Sequence, residues 1–235
     1  MRVSFVSQQP GVIFRLDDVD PRLEASLRSA FWQPIDSGWQ RDYPADAPLV
    51  DRVTETFAAN AERMFRQLAG LDPVPWENAL HAWIERAGTA GIRWCLTGSG
   101  ATALRVADVV PHDLDIMIQP GQVDLVRTMF ADVLIEPLVE TDGWIMRSFG
   151  VLFLHARIDI AVDPVPAVDR PEPVDFGPYA AAHLETVSWR GHSVLVPPLA
   201  LQAAVNRRRG RHERAARIEA ALAGQERGFP EPVDP

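Results

Sequence analysis

The chain has 235 residues, 47% hydrophobic and 23% charged, the profile of a folded soluble protein with length for one large domain or two small ones. Its net charge of −9 argues against a general polyanion binder, and because every one of its 23 basic residues is arginine, Schiff-base lysine chemistry and a Walker-type phosphate loop are excluded. The single cysteine, Cys95, rules out an internal disulfide or a Cys-rich zinc site, and no run reaches membrane-spanning length, so a cytoplasmic protein is expected.

Residues 1–72 read as a small α+β module. Val3-Ser4-Phe5 and Val12-Ile13-Phe14 alternate as strands should, with a turn at Gln9-Pro10-Gly11. Asp20-Pro21 opens a short helix through Leu23 and Leu27, with aspartate as N-cap. Phe31-Trp32 and Trp39-Gln40 flank a hairpin turn at Asp36-Ser37-Gly38, and a helix is expected from Leu49 to Leu68.

A core follows over 73–166. Helix is expected from Trp76 to Ala87, ended by Gly88, then strand Ile92–Leu96. Ala101–Val109 reads as helix, Asp113–Ile118 as strand, Gln122–Val133 as helix, and two strands lie near Ile145–Phe149 and Val151–Val162. Residues 167–235 hold the rest of a proline-rich acidic loop spanning 163–178, a hairpin about Arg190-Gly191, and a helical tail from Pro198 to Leu222 broken at Gly210. A frayed end is expected from Gly228 to Pro235.

Chemistry concentrates at Leu96-Thr97-Gly98-Ser99 and, after a thirteen-residue spacer, Asp113-Leu114-Asp115-Ile116. Alternate strand residues share a face, so Asp113 and Asp115 point one way while Leu114, Ile116 and Ile118 enter the core. Their Cα atoms lie roughly 6.5 Å apart at ordinary strand rise, a spacing that suits two carboxylates on a pair of divalent ions. Asp159, between Ile158 and Ile160, offers a third carboxylate on a face shared with Arg157 and His155. Glycine lets the backbone approach an anion, the Ser99 hydroxyl can donate to it, and Arg157 can neutralise a terminal phosphate.

These residues resemble the DNA polymerase β-like nucleotidyltransferase superfamily, in its minimal and antibiotic-modifying branch, whose signature is an apolar residue, Gly, Gly or Ser, a spacer, then Asp-apolar-Asp-apolar. The resemblance covers about Trp76 to Leu222. It implies an α+β fold with a short mixed sheet. It further implies that Asp113 and Asp115 bind two Mg²⁺ ions, that Asp159 binds one and helps deprotonate the acceptor, and that Gly98 and Ser99 hold the β- and γ-phosphates. Arg207, within Asn206-Arg207-Arg208-Arg209-Gly210-Arg211-His212, stands nearest to the basic residue that relatives place beside the triphosphate. The expected reaction moves a nucleoside monophosphate, AMP from ATP or another nucleotide, to a hydroxyl and releases pyrophosphate.

A small hydroxylated acceptor ranks ahead of transfer RNA, and RNA ahead of protein, with no membrane partner. The alternatives are a toxin-type enzyme acting on tRNA or protein and a catalytically silent antitoxin or binding relative. A haloacid-dehalogenase-type phosphatase is disfavoured by the missing lysine and by an Asp-x-Asp pair that starts its strand, which also disfavours a sugar-nucleotide glycosyltransferase. Thr97, the absent lysine and the N-terminal module depart from the family pattern.

Overall fold

The computed structural model describes residues 1–8, 11–44 and 46–226. Its α+β architecture rests on two sheets. The first is antiparallel, in the order β1 (Arg2–Gln8), β2 (Gly11–Asp17), β4 (Gly38–Pro44), β3 (Gln33–Ile35). A 3₁₀ turn, Pro21–Leu23, leads into α1 (Glu24–Ser29); the Asp20 carboxylate caps it by accepting from the Arg22 N–H at 2.9 Å. The turn residues Gln9 and Pro10 and the segment Gly228–Pro235 lie outside the described residues.

α2 (Val50–Leu68) carries the chain across to a second sheet, burying Val53, Phe57, Ala61, Met64 and Phe65 along one stripe. That five-stranded sheet runs β5 (Trp94–Thr97), β6 (Leu114–Ile118), β9 (Ala156–Pro164), β8 (Met146–Leu154), β7 (Leu134–Glu140). Only β6 and β9 pair in parallel; the other neighbours are antiparallel. α3 (Trp76–Ala90) covers one face, and its Trp83 stacks on Phe130 with ring centroids 4.7 Å apart. One continuous core joins the two sheets, from Phe14, Trp32 and Phe65 to Leu96, Ile116 and Ile160.

Several element boundaries differ from the sequence expectation. α3 ends at Gly91, whose φ of +66° supplies the left-handed cap, and not at Gly88. Helix α4 (Gly98–Ala103) starts at the glycine itself and stops well before Val109. α5 (Val123–Met129) is shorter than the expected 122–133, and β7 lies where no strand is expected. β8 runs unbroken through Gly150 to Leu154, so the break between the two strands falls at His155. Beyond it lie α6 (Pro178–Ala182), the hairpin β10 (Glu185–Trp189) and β11 (His192–Val196), then α7 (Leu199–Arg208) and α8 (His212–Glu226) about Gly210 at φ +71°. Among the described residues no helix is long and apolar enough to cross a membrane.

Candidate active site

Strand β6 alternates as its sequence requires: Leu114, Ile116 and Ile118 are buried, while Asp115 and Met117 face a cleft. The parallel register sets Asp115 opposite Asp159, and the antiparallel register of β5 sets Thr97 opposite Asp115. Three neighbouring strands thus present Thr97, Asp115 and Asp159 as one rung, and Asp113, just ahead of β6, lines the same cleft. The three sequence-predicted carboxylates are brought together. Asp175, from the loop after β9, joins them: it is buried, and its Oδ1 has no hydrogen-bond partner among the described residues.

The crowding is visible in the acid–base chemistry. Desolvation at the cleft floor, followed by the charges of Asp113, Asp159 and Asp175, pushes the Asp115 carboxyl well above the usual carboxylate range, against the pull of Arg157. Asp159 is pushed up to about 6, by burial first and with Asp113 adding to it, although Arg157 works the other way. Such a cluster of oxygen donors, short of positive charge, fits a hard divalent cation by its chemistry. Among the described residues, however, no three His, Cys, Asp or Glu side chains already stand as a metal-ligand set. Among the described residues Asp175 Oδ1 has no hydrogen-bond partner, and Asp159 retains lone pairs beyond those its arginine takes.

Arg157 is spoken for. Its Nε and Nη2 donate to Asp159 at 2.6 and 3.2 Å, and its Nη1 lies 3.7 Å from the buried carboxylate of Glu136. Glu136 in turn pairs with Arg41 of β4 at 2.9 Å. Burial opposes charge on Arg157, yet Asp159 and Glu136 hold its pKa above the ordinary guanidinium value. The expectation that Arg157 neutralises a terminal phosphate is corrected accordingly: it is an orienting partner of Asp159 within an alternating chain from Arg41 through Glu136. His155, expected on the Asp159 face, sits exposed in the turn before β9, where its carbonyl accepts from Gln67.

Gly98 is required twice over. Its φ of +58° disfavours other residues, and a Cβ there would stand 2.0 Å from Asp115 Oδ2. The turn is pinned from the far end of the chain: the Gly98 carbonyl accepts from Gln202 Nε2 at 2.8 Å and from Thr102 Oγ1 at 3.1 Å. Gln202 itself is buried and accepts from Arg105 at 2.8 Å. Nothing in the local sequence singles out that glutamine.

Beyond Asp113 the cleft opens into a second hollow lined by Ser99, His112, Arg211, Arg214 and Arg217. Burial first, then repulsion from Arg211, lowers the pKa of Arg214, while Asp113 and Asp115 hold it up, which places that cation between the arginines and the carboxylates. Arg207 is absent from this hollow. It points to Glu219, with Nη2 2.6 Å from one carboxylate oxygen, and lies exposed on α7. Past Gly210, whose left-handed backbone redirects the chain, Arg211 of the same expected segment and Arg214 line the hollow instead. On the opposite side the cleft is walled by Phe31, Trp144 and Phe149; Trp144 meets Phe31 at 5.8 Å and Phe149 at 5.0 Å, both edge to face.

No family model matches the sequence, and no curated protein sequence matches it. Among solved structures, a candidate nucleotidyltransferase from Thermotoga maritima is similar at 20% identity and a TM-score of 0.47, over 63% of this chain and 93% of that one. An antigenic nucleotidyltransferase-like protein from Paracoccidioides brasiliensis is similar at 14% identity and a TM-score of 0.39, over 63% of this chain and 72% of its own. Both scores fall below 0.5, and neither likeness bears on the chemistry of this site.

Proposed function

We propose that this protein is a metal-dependent nucleotidyltransferase that moves a nucleoside monophosphate from a triphosphate, ATP in the first instance, to a hydroxyl of a small acceptor. The observation that carries the reading is the rung of Asp115 and Asp159 with Asp113 beside it, jammed against a glycine turn and open on one side to an arginine-lined hollow. Carboxylates crowded this way are unfavourable unless positive charge arrives with the ligand. Asp113 and Asp115 would hold magnesium, which would supply charge neutralisation for the phosphates.

The residues of the chain divide the remaining work. Ser99, Arg211 and Arg214 receive the β- and γ-phosphates in the hollow, and the missing lysine is made good by guanidinium groups. Arg157 fixes Asp159 so that a free carboxylate lone pair faces the acceptor. The acceptor oxygen bonds to the α-phosphorus as the bond to the β-phosphate oxygen breaks, and the hydroxyl proton passes to Asp159. The net charge of −9 favours a small acceptor over RNA.

Purified protein incubated with α-labelled ATP, magnesium and a cell extract is expected to label the small-molecule fraction, and Asp113→Ala is expected to label nothing. Label on RNA selects the tRNA alternative. Nucleotide that binds with magnesium but is never transferred selects the silent relative.

A further inference from the structure

A third cavity, of about 600 Å³, extends from the carboxylates along the same face of the sheet, toward the β5 edge. Its floor is the next rung, Cys95 and Met117, paired across β5 and β6 and roughly 6.5 Å beyond Asp115 at ordinary strand rise. Its roof is the segment from Phe176 to Leu184, anchored where the Asp169 carboxylate accepts from the Val174 and Tyr179 N–H groups at 3.0 and 2.7 Å. The volume lies in the range of small-ligand sites, and the lining is mainly apolar. At the junction with the central cleft stands Asp175, buried, its Oδ1 without a partner among the described residues. A buried carboxylate oxygen left unmade is costly, and a ligand carrying an N–H donor completes it.

We propose that this chamber takes the purine base of the donor nucleotide, with Asp175 accepting a hydrogen bond from an exocyclic amino group. The inference rests on the nucleotidyl-transfer reading. The triphosphate end is fixed on the opposite side of Asp113, among Ser99, Arg211 and Arg214. The acceptor must reach Asp159, which lines the central cleft with Phe31, Trp144 and Phe149 and does not line the chamber. That leaves the chamber, one rung from the metal carboxylates, for the nucleoside. Its apolar floor and roof suit the two faces of a base, and the buried Asp175 carboxylate at its entrance reads the base edge.

Titration calorimetry with the magnesium complexes of ATP, GTP, purine riboside triphosphate and inorganic tripolyphosphate tests this. Wild type is expected to bind ATP or GTP about 10–100-fold more tightly than purine riboside triphosphate, which lacks the amino group. Asp175→Ala should lose that preference, read as the ratio of ATP to purine riboside triphosphate affinity within the variant. Ala181→Trp, on the exposed rim of the chamber, should weaken nucleotides about tenfold or more and leave tripolyphosphate untouched; it also decides the matter if Asp175→Ala does not fold. Equal binding of all the nucleotides by wild type overturns the proposal, as does an unchanged preference in Asp175→Ala or normal nucleotide binding in Ala181→Trp. Wild type that binds no polyphosphate of any kind overturns the transferase reading as well, so the two failures are told apart.

Discussion

Asp115 shows most directly what this fold gives up for its chemistry. It lies at the floor of the cleft beside Asp113, Asp159 and Asp175, and its ionised form is disfavoured by burial and by all three. Replacing it with asparagine removes the repulsion and keeps the shape. Asp115→Asn is therefore expected to raise the melting temperature of the metal-free protein by about 2–4 °C, the shift that ~1 kcal/mol gives in a domain of this size. The same variant should show no nucleotidyl transfer and no further stabilisation on adding magnesium. A melting curve that drops instead contradicts the electrostatic account. Asp175 had no motif to mark it: it sits in an acidic, proline-rich stretch that reads as an ordered loop or lid, and only the fold shows which of its carboxylates turns inward.

At the scale of elements, the N-terminal module acts as a wall and a brace of the site. Arg41 on β4 reaches Glu136 on β7, Glu136 reaches Arg157 on β9, and Arg157 holds Asp159. Arg41→Met cuts the first link and leaves Glu136 buried with one cation fewer. The expected loss is about 3–5 kcal/mol by urea unfolding, typical of breaking a buried pair from one side, together with reduced turnover at unchanged nucleotide affinity. A loss of under ~0.5 kcal/mol, ordinary for a surface substitution, contradicts the relay.

That relay also explains what the sequence concealed. Leu134-Ile135-Glu136-Pro137-Leu138 does not read as a strand, because it holds a glutamate and a proline. β7 tolerates both: it is the edge of its sheet, it bulges between Glu136 and Val139, and Glu136 meets two arginines inside. The Asp-x-Asp rung was legible because β6 alternates strictly. The placement of Arg214 in the hollow was not, because where α8 lies after the expected break at Gly210 is set by tertiary packing and not by local pattern.

For the molecule as a whole, Cys95 reports on the integrity of the fold. It is buried on β5, and burial pushes its thiol up to about 12 from an ordinary value of 9.0. The native state thus holds its proton where the unfolded chain has lost it. The contribution to stability is complete below pH 9, declines as pH rises through the interval, and is gone above about 12. Iodoacetamide at pH 8 is expected to modify native protein at least about tenfold more slowly than urea-unfolded protein, read by mass spectrometry; equal rates contradict the burial. The rung Asp115–Asp159 has a further consequence for how the protein comes into being. Its two strands meet only after residues 119–155 have been laid out as helix and meander between them, its brace comes from Arg41, and its cations come from Arg211 and Arg214. A chain cut short after Gly210 owns every carboxylate of the cleft and neither of those arginines, so on the proposed reading an unfinished copy is a copy that cannot grip its donor.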